Sequence, residues 1–337
     1  MKKIKNFYLH NRFFSVFFLV WVLFFLGIRT FQHFSFRTNA CDLSVFDYAI
    51  HSTLKGDVMA DPFHKYGFGR LYSENGELVF EHGTAKSWDS LFSIHFFPIL
   101  FLIVPFYLIL GSPLLLLYLQ VLVVGLSAIP LYLIAKNVFK EKYVPVFIVA
   151  IYLFFRHLLS GMMYDFHPEM FLPLFLFSSY YFIAVKKKAF TYFLFISLAL
   201  FVKEDISIYI FFFGIFIFFK LKEKKYGLIT SILSLLYLLL TIEVILPHFR
   251  ALDGVGGQYE FFNRWSNLGG NFLEILWNLL IHPFSVFEGI PVGIILEKFS
   301  NIVSPLLLLP FVSAYGLLIF PPLLVAILSK APQMYSF

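Results

Sequence analysis

Long apolar runs separated by short polar connectors account for most of this chain. The runs are Phe13–Ile28, Phe96–Leu110, Leu114–Ala135, Val144–Leu159, Phe171–Val185, Phe190–Val202, Ile206–Phe219, Leu228–Leu246 and Ile302–Leu328. Runs of this length predict membrane-crossing helices. Several fall below the roughly 20 residues of a perpendicular span, and tilt, flanking residues or local thinning make up the difference. The last run holds Pro310, Pro321 and Pro322, so a kink or two separate segments is expected there. Two polar stretches are too long to be hairpins, residues 29–95 and residues 247–300. Within the second, Phe272–Ile281 reads as an amphipathic surface helix. The fold class expected is all-α, a polytopic transmembrane bundle treated as one domain over residues 1–337.

Charge then orients the runs. Lys136, Lys140 and Lys142 form one basic connector, Lys186–Lys188 the next, and Lys220, Lys222, Lys224 and Lys225 a third. Positive connectors mark the cytoplasmic side, and the three lie two crossings apart, so they agree. Met1–Arg12 is basic and precedes a bulky run with no small-residue cleavage site, which predicts an uncleaved signal anchor with a cytoplasmic N-terminus. These assignments conflict if Phe13–Ile28, Phe96–Leu110 and Leu114–Ala135 all cross. Phe96–Leu110 would give about 23 Å of helix interrupted by Pro98 and Pro105. It is therefore placed as a re-entrant or interfacial helix on the outer side, continuing the long first loop whose polar part is residues 29–95.

Composition strengthens the membrane reading. Of 337 residues 60% are hydrophobic and 14% charged, against about 25% charged in soluble chains. The net charge of +6 resides in the connectors, so it gives no reason to infer nucleic-acid binding. The single cysteine, Cys41, excludes an intrachain disulfide. Phosphate loops, nucleophile elbows and structural zinc spacings are missing.

What remains for chemistry is a set of acids, histidines and cations predicted at the outer helix ends. Asp47 lies among apolar neighbours in Ser44–Ile50, where burial tunes a carboxyl toward base catalysis. His95 opens the segment that parity keeps from crossing. In Asp165-Phe166-His167-Pro168-Glu169, alternate residues of an extended segment face one way, so Asp165, His167 and Glu169 are expected to converge on a divalent metal such as Mg or Mn, or on a metal-bound phosphate. Lys203, Glu204 and Asp205 interrupt apolar sequence; charges near membrane depth are costly and point to function. Lys203 suits a phosphate group, with Glu204 or Asp205 as partner. Arg156 and His157 are placed beside them, Glu243 follows, and Arg250 and Arg264 are weaker still.

At these strings the sequence resembles the polytopic membrane family called domain of unknown function 2079, grouped with the GT-C glycosyltransferases. The matching stretches are Phe46-Asp47-Tyr48, His95–Leu100, Pro113–Tyr132 with Gln120, Asp165–Pro168, Lys203–Asp205, His282-Pro283 and the Pro305–Pro322 region. The resemblance implies a GT-C-like bundle with surface helices in the first outer loop. It implies transfer of a hexose or pentose from a polyprenyl-phosphate donor to an acceptor on the outer face of a prokaryotic inner membrane. Asp47 matches the first-loop acid and general base, and Asp165 the second-loop acid near a metal. His95, Lys203, Glu204, Asp205 and Arg156 would contact substrate. Such members usually continue beyond the Pro-rich segment, so either a shortened member or a truncated chain is expected, and GT-C enzymes often hold acceptor-binding parts beyond this core.

Two other classes compete with this reading. A lipid or small-solute transporter or flippase predicts inverted repeats and broken helices at the midplane, and no paired halves are visible. A non-catalytic membrane assembly protein predicts that substituting every outer acid changes nothing.

Overall fold

The structure, a computed structural model, describes residues 11–38, 41–61, 90–252, 265, 268–282, 290, 292–304 and 309–329. Among these residues the fold is helical, and the only β pairing is an isolated bridge between Ala60 and Ser90. The chain divides into two compact units. Unit 1 comprises Met1–Leu91 and Phe97–Lys203, and unit 2 comprises Phe92–Phe96 and Glu204–Phe337.

Unit 1 is built on α1 (Arg12–Phe34) and α4 (Pro113–Val138), both long and apolar enough to cross a membrane. Between them lie α2 (Cys41–Leu54) and α3, a single turn over Val104–Tyr107. Ser112 starts α4 by accepting the Leu114 N–H, with Pro113 at the first helical position, where its missing donor costs nothing. The two long helices pack through Phe14, Trp21, Val22 and Phe25 of α1 and Val121, Val124, Ala128 and Tyr132 of α4. Gly125 permits the approach, because a Cβ there would lie 2.9 Å from Val22. Polar contacts fix their direction. The Lys136 ammonium and the Tyr132 hydroxyl each donate to the Asn11 side chain at 2.7 Å. At the opposite end, the Thr30 and Tyr118 hydroxyls lie 2.6 Å apart. The helices are thus antiparallel, so residues 35–112 leave and return at the same end of the pair. The segment Phe96–Leu110 contains a 3-10 turn over Pro98–Leu102 followed by α3, and neither is long enough to span.

The bent pair α5 (Val144–Leu153) and α6 (Arg156–Met163) follows, with an angle of 49° at the break. Next come α7 (Pro168–Val185), long enough to cross, and α8 (Ala189–Leu200), which returns beside it through Phe195 against Phe175 and Phe182. The run expected over Val144–Leu159 is therefore two helices. The 12 residues of α8 give only about 18 Å of helix.

Unit 2 holds α9 (Ile206–Lys220), α10 (Lys224–Leu252), α11 (Phe272–Ile281), α12 (Val292–Val303) and α13 (Phe320–Leu328). α10 is long enough to cross. The amphipathic helix predicted at Phe272–Ile281 forms with those bounds. Asn271 caps the Glu274 N–H, and Glu274 reaches back to the Gly270 N–H, a reciprocal arrangement that fixes a helix start. The Pro-rich last run is broken as expected, into 3-10 turns over Leu309–Val312 and Ala314–Leu318 and then α13, with Pro321 and Pro322 in its first turn. Lys298 is buried and donates to the Ile327 and Ser329 carbonyls, closing the C-terminal end of α13.

The closest helix pair in unit 2 is α9 with α10. A Cβ on Gly214 would come within 2.7 Å of the Ser231 nitrogen, and one on Gly227 within 2.6 Å of the Gly214 carbonyl. Neither obstacle is the flexible end of a side chain, so backbone must shift. Gly214→Ala is expected to destabilise the protein by about 1–3 kcal/mol, read as a lower thermal midpoint in detergent. An unchanged midpoint would show that the pair can separate at no cost.

Candidate functional site

The α6 helix is short, and its last turn leaves carbonyls without intrahelical partners. Two side chains from the long helices satisfy them. The Gln120 amide of α4, fully buried, donates to the Gly161 carbonyl at 3.3 Å, the Met162 carbonyl at 2.9 Å and the Asp165 carbonyl at 3.2 Å. Its oxygen accepts the His167 N–H at 2.7 Å. Arg29 of α1, 1% exposed, donates to the Met163 carbonyl at 2.7 Å and the Tyr164 carbonyl at 2.5 Å. A guanidinium at a helix C-terminus is also favoured by the helix dipole. Residues 161–167 are therefore fixed from both sides at the end of unit 1 where residues 35–112 leave and return.

That segment in turn holds α2. The Asp165 carboxylate, 1% exposed, accepts the Leu43 N–H at 3.3 Å. It satisfies one of the free donors in the first turn of α2, where negative charge is favoured. Asp47 lies four residues beyond Leu43, about 6 Å along the axis. The Asp47 and Asp165 carboxylates are thus linked through one turn of one helix.

Asp47 is half-buried. The Tyr107 hydroxyl donates to its Oδ1 at 3.0 Å. Its Oδ2 makes no hydrogen bond among the described residues. Burial pushes the Asp47 carboxyl above the usual carboxylate range, while the Tyr107 hydrogen bond and the charges of His51 and His33 oppose the rise. Burial, and then the adjacent Asp47 charge, hold the Tyr107 hydroxyl far above its ordinary pKa, so it stays a donor.

The alternation in Asp165–Glu169 does not bring its three side chains to one point. Asp165 turns to α2. The His167 ring places Nδ1 3.1 Å from the Asp165 carbonyl and Nε2 3.6 Å from Asp42. Extended backbone ends at His167, because Pro168 opens a 3-10 turn, and Glu169 points instead to Lys203 at 2.9 Å. Among the described residues no group of three His, Cys, Asp or Glu side chains is arranged to hold a metal. In this arrangement Asp165, His167 and Glu169 do not fit a shared Mg or Mn ligand set.

The Lys203-Glu204-Asp205 triplet is divided between the units. Lys203 pairs with Glu169 and lies 5.6 Å from the Phe97 ring centre, so it joins the unit 1 group. Glu204, 1% exposed, belongs to unit 2. One of its oxygens meets His95 Nδ1 at 2.6 Å and the other accepts the Phe96 N–H at 2.9 Å. Asp205 stands at the N-cap position of α9 without a side-chain capping bond. Arg156 is exposed at the start of α6, about 10 Å of helix from Met163. Arg250 is buried at the end of α10, and Arg264 lies outside the described residues.

Sequence reasoning gave no role to Arg29, Tyr107 or Gln120, nor to Asp42. Gln120 carried a usable signal, since a lone amide within an apolar run must find buried partners. Arg29 and Tyr107 act through contacts too distant in sequence for local pattern to reveal.

A family model described as Predicted membrane protein (DUF2079) matches residues 32–336. No curated protein and no solved structure matches the chain.

If the Gln120 amide secures residues 161–167, Gln120→Leu leaves those carbonyls and the His167 N–H without their buried partner. A loss of about 1–3 kcal/mol is expected, seen as a lower thermal midpoint and faster proteolysis between α6 and α7. Wild-type stability in that variant would mean the segment is held by other contacts.

Proposed function

The chain belongs to the DUF2079 family of predicted membrane proteins, and on that premise we propose that it is an integral-membrane glycosyltransferase of GT-C type. It moves a hexose or pentose from a polyprenyl-phosphate donor to an acceptor at the extracytoplasmic face of a prokaryotic inner membrane. The observation that carries this reading is Asp47. It is a half-buried carboxylate with one oxygen fixed by Tyr107 and the other without a hydrogen-bond partner among the described residues, on a helix anchored by Asp165. That is what a general base for an acceptor hydroxyl requires.

Charge supports the sidedness. Lys136 lies at the Asn11 end of unit 1, and Lys186–Lys188 follow α7 at the end away from Glu169. The acid-bearing end is opposite both basic connectors, which by the positive-inside rule supports an extracytoplasmic placement.

The step is a displacement at the anomeric carbon. The acceptor oxygen forms the new bond to C1, its proton passes to Asp47 Oδ2, and the bond from C1 to the phosphate oxygen breaks. The electron pair leaves with polyprenyl phosphate. Lys203 supplies positive charge to the leaving phosphate, exchanging its ion pair with Glu169 for one with the lipid phosphate. Asp165 and Arg29 hold the α2 register that puts Asp47 in reach. Within its own unit, Glu204 holds His95.

Asp47→Asn keeps an oxygen for the Tyr107 hydroxyl but removes the base. In proteoliposomes supplied with polyprenyl-phosphate-linked sugar and membrane-extract acceptors, release of polyprenyl phosphate is expected to fall at least about 100-fold. A rate like that of the wild type would remove Asp47 from the mechanism. The folded-state pKa is raised by burial, so ionising Asp47 opposes folding above that pKa. Below the unfolded-state pKa the group is neutral in both states and contributes nothing. The variant is therefore expected to melt no lower than wild type at neutral pH and to lose any advantage in acid.

A further inference from the structure

We propose that Tyr107 is the positioning residue of the Asp47 base, fixing one carboxylate oxygen and setting the pH at which the other becomes available to the acceptor. This rests on the glycosyltransferase reading and extends it to a residue outside the recognised strings.

Tyr107 is 3% exposed and ends the one-turn helix α3. Its ring meets the His51 ring edge to face, with centroids 5.9 Å apart. His51 lies four residues after Asp47 on α2, so the two share a face that the Tyr107 side chain covers. The chain after α3 closes over the pair. A Cβ on Gly111 would lie 3.2 Å from the Tyr107 carbonyl and 3.3 Å from His51, so the backbone at Gly111 passes close to both. Ring packing thus fixes the hydroxyl where it donates to Asp47 Oδ1 at 3.0 Å. The titratable groups acting on the Asp47 charge are Tyr107 from α3, His51 from α2 and His33 from α1. The helix α4, which also packs against α2, adds none of those named.

The hydroxyl acts in two ways. It restricts carboxylate rotation, so Oδ2 is presented without reordering at each turnover. It also donates to the ionised form more strongly than to the neutral one, favouring the base. Removing it costs orientation and moves the acid limb of the pH profile upward. A purely structural tyrosine would lower stability while leaving that limb in place.

The test uses the full-length protein in proteoliposomes with two Tyr107 variants of opposite effect. Tyr107→Phe keeps the ring and loses the donor. With it, kcat is expected to fall about tenfold, the equivalent of one charge-assisted hydrogen bond. KM should change little and the acid limb should move to higher pH. Replacing Tyr107 with 3-fluorotyrosine strengthens the donor and is expected to move the limb to lower pH. Infrared titration of the carboxyl band that disappears in Asp47→Asn reads the same shifts without turnover. If the wild-type protein turns over no donor, the glycosyltransferase reading fails, and the infrared midpoints still decide whether Tyr107 sets the Asp47 titration. Midpoints and limb unmoved in both variants would overturn the proposal.

Discussion

The end of α6 is where this structure faces its hardest polar problem. A helix of eight residues finishes beside two helices long and apolar enough to cross a membrane, and carbonyls 161–164 must find partners outside their own helix. Gln120 and Arg29 meet that demand from α4 and α1. Other features of unit 1 depend on this. Once residues 161–167 are fixed, the Asp165 carboxylate meets the first turn of α2, and Asp47 follows one turn later. Glu169 then starts α7 in reach of Lys203 at the end of the returning hairpin. An acid-rich end arises here from the closing of a helix terminus.

This arrangement reassigns the work among the acids. Asp165 is occupied with the α2 backbone and acts as an anchor. Glu169 is matched to Lys203. Asp47 retains an oxygen that makes no hydrogen bond among the described residues. On the proposed reading one carboxylate serves chemistry and the others geometry, a division that follows from their different partners.

The helices were legible in the sequence because lipid imposes a simple rule of length and hydropathy, which α1, α4, α7 and α10 satisfy. Phe272–Ile281 was legible because amphipathic periodicity and its Asn271 and Glu274 cap agree. That Phe96–Leu110 forms no helix long enough to span agrees with charge parity and its two prolines. The site was only partly legible. Alternation along Asp165–Glu169 is a local property, and it gave way at Pro168 to a 3-10 turn and to partners far away in sequence. Three consecutive charges, Lys203–Asp205, read as one cluster, yet Lys203 and Glu204 engage different units because the chain passes from one to the other between them. Gln120 was named only within a stretch that carries the family resemblance, and its three carbonyl partners exist only after α4 and α6 have packed.

The central claim is that the end of unit 1 carrying Asp47 and Lys203 receives a lipid-phosphate sugar. It is tested most directly by photocrosslinking the full-length protein in proteoliposomes with a diazirine-bearing polyprenyl-phosphate sugar and mapping the adducts by mass spectrometry. The account predicts adducts within Cys41–Leu54 and residues 161–169 that excess polyprenyl phosphate suppresses. Adducts confined to the lipid-facing sides of α1, α4 and α10, insensitive to that competitor, would contradict it.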